Sequence, residues 1–140
     1  MKYLLLMYGA ERTWDAMQKA EMDRIYAAHR AYGEEMRTAG VIRGGAELKP
    51  TATATTVRFL GGHPSTIDGP FAETKELVAG FWMWQVKSMD EAVEWLKRAP
   101  FRNDEVEIRQ VFEAGDFGDN LTPELRAQEE QLRAKVASKR

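Results

Sequence analysis

The sequence contains no cysteine, which excludes disulfide bonds, thiol catalysis and thiolate metal sites. Its two histidines, His29 and His63, form no recognisable metal-ligand spacing with other residues. We therefore expect no resident metal and no cofactor. The lack of cysteine also fits a reducing compartment, and we predict a cytoplasmic location.

An excess of one charge and long apolar runs are missing as well. The 20 basic and 22 acidic side chains leave a net charge of -2, which gives no electrostatic case for binding nucleic acid or an anionic membrane. The first apolar run, KYLLLMYG, is too short for a signal peptide or a membrane span. The sequence has no glycine-rich phosphate loop and no nucleophile elbow, and this disfavours kinase and hydrolase functions.

The residues that are present indicate one soluble domain. A chain of 140 residues with 44% hydrophobic and 30% charged residues is long enough to bury a core. Hydrophobic periodicity predicts the order β-α-β-β-β-α-β. The predicted strands cover residues 2–8, 41–48, 55–60, 78–86 and 105–112, and residues 64–67 form the second arm of a hairpin with residues 55–60. The predicted helices cover residues 14–39 and 89–99.

This order predicts an α+β fold of the ferredoxin-like type, βαββαβ with an added hairpin strand. The two most apolar strands, residues 2–8 and 78–86, are the ones that this plan places at the centre. Two helices cover one face of the sheet, so large apolar side chains on the other face need another cover. Burying one large apolar side chain stabilises a protein by about 1.5–3 kcal/mol. We therefore predict a homodimer that associates sheet to sheet, like a dimeric α/β barrel.

The chain changes character after residue 112. Gly115, Gly118 and Asn120 predict a flexible connection, and Thr122-Pro123 is typical of a helix start. We divide the chain into a domain over residues 1–112 and a linker with a C-terminal helix over residues 113–140. That helix has a thin apolar stripe, and it either docks on a partner subunit or stays solvated.

The stretch DGPFAETKE, residues 68–76, combines two turn-forming residues with several charged side chains. Gly69 and Pro70 re-aim the chain directly after Asp68. A loop made rigid in this way could hold Asp68 at the edge of a pocket. The alternative is that Asp68 only caps its own turn.

The same stretch resembles the signature of DGPF-domain proteins, which belong to the YCII-related family. KYLLLMYG, AHRAYGEEMRTAGV, GGAELKP and TATTVRF agree with it, and the resemblance covers residues 1–112. It implies a ferredoxin-like fold and a histidine–aspartate catalytic pair. One activity in the family is a cofactor-free elimination of chloride from a chlorinated muconate-type acid. The resemblance also implies an alternative, a non-enzymatic role as a ligand-binding or regulatory partner of an extracytoplasmic-function sigma factor.

His29 and Asp68 are the residues that match this catalytic pair. His29 lies on or beside the apolar stripe of the predicted first helix, where a histidine is either a core residue or a base aimed into a pocket. A carboxylate beside an imidazole orients the ring and stabilises the imidazolium, which makes a general base at neutral pH. We predict proton abstraction from a small anionic substrate, of the lyase or isomerase type.

Three further residues are candidates for substrate binding. Arg43 and Lys75 could supply positive charge for an anionic substrate, although exposed basic side chains are commonly only solvated. Tyr8, at the end of the first strand, could line the same pocket or pack with its hydroxyl in water.

Overall fold

The computed structural model describes residues 1–9, 11–68 and 77–138. The fold is a mixed α+β arrangement built on an antiparallel sheet. Its strands and helices, in chain order, are β1 (Lys2–Gly9), α1 (Glu11–Asp15), α2 (Lys19–Thr38), β2 (Ile42–Glu47), β3 (Thr55–Leu60), β4 (His63–Asp68), β5 (Leu77–Gln85), α3 (Met89–Lys97), β6 (Glu105–Gln110) and α4 (Pro123–Ala137).

The main sheet has four strands in the order β2-β5-β1-β6, and every neighbouring pair is antiparallel. The prediction that the two most apolar strands are central is confirmed, because β1 and β5 are the inner pair. Tyr3 lies opposite Trp84 and Leu5 lies opposite Trp82 in this pair. Since side chains alternate along a strand, these four residues face one side of the sheet.

The core lies between that side of the sheet and helices α2 and α3. Both helices present apolar side chains to the sheet, as their helical spacing predicts. The buried residues are Tyr3, Leu5, Tyr32, Met36, Val41, Trp84, Val86 and Ala92.

The predicted hairpin is confirmed, and it forms a separate two-stranded sheet. β3 and β4 pair from Thr55 opposite Asp68 to Leu60 opposite His63. Gly61 and Gly62 connect them with φ angles of 60° and 78°. Positive φ at both turn residues matches the right-handed twist of the strands, and glycine adopts it without steric cost.

The backbones of β2 and β5 approach each other closely at Gly45. The β2–β5 register shifts between Ile42 and Gly44. A Cβ atom at Gly45 would lie 2.7 Å from the carbonyl oxygen of Phe81, so no side chain fits there without moving the strand.

The first predicted helix is two helices rather than one continuous helix over residues 14–39. α1 ends at Asp15, and Gln18 has extended backbone angles of φ -72° and ψ 146° before α2 begins. No proline or glycine marks this break, so the apolar spacing alone could not reveal it. The predicted end is confirmed, because Gly40 follows α2 with φ 69°.

The C-terminal helix α4 begins as predicted, with the hydroxyl of Thr122 accepting a hydrogen bond from the amide of Leu125 at 3.3 Å. Its apolar side chains are largely exposed: Leu125, Leu132 and Val136 retain 48%, 57% and 58% of their accessible surface.

Tyr32 makes the stability of this fold depend on pH in the alkaline range. Its hydroxyl donates a 2.6 Å hydrogen bond to the carbonyl of Trp95. Burial raises the pKa of Tyr32 from 10.0 to about 12, and the positive charge of Arg98 offsets only part of this. Because the folded state favours the protonated phenol, its contribution to stability is complete below about pH 10 and falls as pH rises towards 12.

We therefore expect the free energy of unfolding to fall by about 1 kcal/mol between pH 9 and pH 11 through this group. Urea unfolding of the wild type and of Tyr32→Phe at both pH values measures the difference. Tyr26→Phe, which changes an exposed tyrosine, is the control. An equal pH dependence in wild type and Tyr32→Phe would contradict the prediction.

Candidate functional site

A cavity of about 340 Å³ lies at one end of the main sheet. Its lining comes from the ends of β1 and β2, the chain just after β2, the beginning of β5, helices α1 and α2, and the connection between α3 and β6. Most of its lining is apolar or aromatic. The lining residues are Met7, Tyr8, Gly9, Trp14, Asp15, Met22, Ile25, Tyr26, His29, Ala46, Glu47, Leu48, Lys49, Pro50, Leu77, Val78, Ala79, Gly80, Trp82, Phe101 and Asp104.

Three rings in mutual contact form one wall, which we call the aromatic wall: His29, Trp82 and Phe101. His29 meets Phe101 edge to face at 5.1 Å between ring centroids and lies 6.5 Å from Trp82. Trp82 and Phe101 are 5.7 Å apart. These separations are those of favourable aromatic packing, so the wall positions the imidazole firmly.

The hydrogen bond of His29 defines which ring nitrogen is basic. Nδ1 lies 3.0 Å from the carbonyl oxygen of Ile25, one helical turn earlier in α2. A carbonyl oxygen can only accept, so Nδ1 carries the proton in the neutral ring. Nε2 then has the lone pair, and the half-buried ring presents a base on the cavity wall.

Asp68 lies at the end of β4 and bonds within its own hairpin. Its Oδ1 accepts a hydrogen bond from the hydroxyl of Thr55 at 3.0 Å. Among the described residues, Asp68 does not line the cavity that His29 lines. His29 and Asp68 thus have different hydrogen-bond partners, and a catalytic pair formed by His29 and Asp68 stays a prediction.

The three predicted substrate-binding residues have separate positions. Tyr8 lines the cavity and donates a 3.0 Å hydrogen bond to Oε2 of Glu107. Arg43 is not part of the described lining, and its Nε donates to the side chain of Gln85 at 3.1 Å. Lys75, with the rest of residues 69–76, lies outside the described residues. Of the predicted site residues in the described part of the chain, His29 and Tyr8 thus belong to the cavity lining, and the hydroxyl of Tyr8 is bonded to Glu107 on the neighbouring strand β6.

Comparison with known proteins identifies the family. The pattern of the YCII-related domain matches residues 1–115. The chain belongs to the YCII-related family. It is also 36% identical over 97 residues to an uncharacterised protein of Rhizobium meliloti (strain 1021), and the match covers 69% of this chain and 78% of that protein.

Several lining residues of this YCII-related protein were not predicted from the sequence. Trp14 and Asp15 come from α1, and Phe101 and Asp104 come from the connection between α3 and β6. In the sequence, Trp14 and Asp15 fall at the start of the first predicted helix, and Phe101 and Asp104 fall in a connection. No local pattern places either segment beside His29. Only the packing of the whole sheet and its helices brings them to one cavity.

The described part of this family member offers no metal centre. Across residues 1–9, 11–68 and 77–138, no three His, Asp or Glu side chains are placed to hold an ion together. In the same part of the chain, no helix is both long enough and apolar enough to cross a lipid bilayer.

Proposed function

We propose that this YCII-related protein is a cofactor-independent acid/base enzyme that removes a proton from a small molecule bound in the cavity. The observation that carries the proposal is the position of His29, half-buried on the cavity wall with Nδ1 hydrogen-bonded to the carbonyl of Ile25. This bond leaves Nε2 as the base, and histidine is the side chain that most often serves as a general base.

The reaction that fits this arrangement is proton abstraction next to a carbonyl group. Nε2 takes the proton, the C–H bond breaks, and its electron pair moves into an enolate. The Ile25 carbonyl stabilises the imidazolium by accepting from Nδ1. The same proton, returned to another atom, completes an isomerisation; loss of a leaving group completes an elimination.

Asp68 and Tyr8 are proposed to assist His29. Tyr8 belongs to the cavity lining and would help to shape the substrate site, while its hydroxyl stays bonded to Glu107. Asp68 is followed, after residues 69–76, by Leu77, which lines the cavity. A carboxylate that approaches His29 would strengthen the base by stabilising the imidazolium.

The experiment measures exchange of substrate protons in D₂O by NMR, with a panel of small keto and enol compounds. We expect His29→Gln to slow exchange by about 10²–10⁴-fold, since a positioned general base contributes that much. His63→Gln, which alters an exposed histidine of the hairpin, is the matched control and should leave the rate unchanged. Equal rates in folded His29→Gln and wild type would overturn the proposal.

Asp68→Asn separates the two roles considered for this residue. If Asp68 supports the base, the rate falls and the effect disappears in the His29→Gln background, because the two residues act as a unit. If Asp68 only holds its hairpin through Thr55, the rate is unchanged and the free energy of unfolding falls slightly.

We further propose a ferredoxin-like fold that dimerises through the open face of the main sheet. The sheet order β2-β5-β1-β6 supports the fold, because it is the order that βαββαβ connectivity gives when the hairpin is set aside. Leu4 lies opposite Met83 and Leu6 lies opposite Phe81, on the side away from the core. These four half-buried side chains, which we call the open-face patch, support a contact with a second copy.

A non-enzymatic role as a regulatory partner, such as of a sigma factor, is the second candidate. The observation that favours it is the exposure of Leu125, Leu132 and Val136 along α4, which is typical of a helix that docks on a partner. Unchanged partner binding in His29→Gln, together with no exchange activity in the wild type, would favour this role.

A further inference from the structure

We propose that the cavity binds a molecule that combines a flat aromatic ring with a positive charge, such as an arylalkylammonium ion. This inference rests on the proposed function only in taking the cavity as the functional site. It names a class of ligand opposite in charge to the anionic substrate that the sequence predicts.

The aromatic wall favours a flat ligand. His29, Trp82 and Phe101 present adjoining ring surfaces, and Trp14 and Tyr26 add two more rings to the lining. Aromatic faces stack well with planar conjugated molecules. The negative face of an aromatic ring also attracts cations, most strongly in the case of tryptophan.

Carboxylates at the cavity favour a positive charge. Asp15, Glu47 and Asp104 all line it and are exposed at its rim. Within the described residues, none of the three forms an ion pair or a side-chain hydrogen bond. They are thus available to a ligand, and a cavity with low-dielectric aromatic walls focuses their field.

Few positively charged side chains in the described part of the lining offset these three carboxylates. Among the described lining residues, Lys49 is the one side chain with a permanent positive charge. Arg43, predicted to attract an anionic substrate, bonds to Gln85 away from this lining. The described lining therefore has three carboxylates against one ammonium group, and a ligand ammonium is stabilised both by the carboxylates and by the ring faces.

The test uses three probes that share a phenyl ring and differ in charge: 2-phenylethylammonium, 2-phenylethanol and phenylacetate. Binding is followed by the indole N–H signals of the full chain in ¹H–¹⁵N NMR. Trp14 and Trp82 line the cavity, whereas Trp84 and Trp95 do not and serve as internal references. We expect 2-phenylethylammonium to bind about tenfold more tightly than phenylacetate, since cation–π and charge attraction together reach that size.

Two variants test the charges directly. Asp15→Asn/Asp104→Asn should reduce the preference for the cation to less than about twofold, because it removes two of the three carboxylates. Lys49→Gln should increase the preference. Glu105→Gln, an exposed carboxylate next in sequence to Asp104 but not part of the lining, is the matched control and should leave it unchanged.

Tighter binding of phenylacetate, or an equal preference in the double asparagine variant and the wild type, would overturn the inference. The same titration of His29→Gln distinguishes this failure from failure of the proposed reaction. If His29→Gln keeps the cation preference while the wild type shows no proton exchange, the ligand class stands and the acid/base role is wrong. If the wild type exchanges protons but prefers the anion, the ligand class is wrong.

Discussion

Replacing Trp84 with alanine is expected to lower the free energy of unfolding by about 3–5 kcal/mol, which is a large fraction of the about 5–15 kcal/mol that stabilises a typical domain. Trp84 has no accessible surface, lies opposite Tyr3 on the central strand pair and stacks on Trp82 at 5.7 Å. Removing the indole leaves a cavity at the point where the sheet meets its helices. Urea unfolding followed by circular dichroism measures the loss.

Two variants identify the origin of that loss. Among the described residues, the indole N–H of Trp84 has no hydrogen-bond partner, so Trp84→Phe loses ring volume but no hydrogen bond. We expect it to cost well under half of the Trp84→Ala effect, because a partly filled site loses less packing. Phe112→Ala, at a residue that is 66% exposed, should cost less than about 1 kcal/mol. A Trp84→Ala loss as small as that of Phe112→Ala would contradict the assigned core.

Replacing Met83 with lysine is expected to weaken the proposed dimer by at least about 10²-fold in dissociation constant, because it buries an unpaired charge at the contact. Met83 lies opposite Leu4 near the middle of the open-face patch. Its neighbour Trp84 points into the core, so the substitution leaves that core unchanged. Sedimentation velocity over a range of micromolar concentrations measures the association.

Met89→Lys is the matched control for this prediction, since Met89 is 39% exposed at the start of α3. It should leave the association unchanged. A wild-type chain that sediments as a monomer at micromolar concentration would overturn the dimer itself. If Met83→Lys still forms the dimer with unchanged affinity, the dimer contact lies on another surface.

The central part of the fold was predictable because its signals are local and strong. β1 and β5 are continuous apolar runs, and a strand of this kind is found where neighbours lie on both edges. Gly61-Gly62 predicts a tight hairpin turn since both positions need positive φ. Ser88 predicts the start of α3, and its hydroxyl accepts a 3.1 Å hydrogen bond from the amide of Glu91.

The features that escaped prediction depend on tertiary packing. The break before α2 has no glycine or proline, so helical spacing continues through it in the sequence. His29 was recognised as a candidate base, but its partner, the carbonyl of Ile25, is a backbone group that no sequence motif reveals. The three carboxylates at the rim of the cavity, those of Asp15, Glu47 and Asp104, could not be predicted as a group either. Asp15 and Asp104 are about two thirds of the chain apart and come to the same cavity only in the folded protein.

The hydrogen bond between His29 and the carbonyl of Ile25 spans five consecutive residues of one helix, and these residues set the orientation of the imidazole. Its geometry is inherited from the helical repeat, and it requires no distant part of the chain to deliver an acceptor. A lineage could therefore rebuild the hairpin, the rim or the C-terminal helix, and so change its ligand, while this segment kept its proton-accepting nitrogen in place. In the proposed enzyme, this separation would let one scaffold bind different substrates while it keeps the same base.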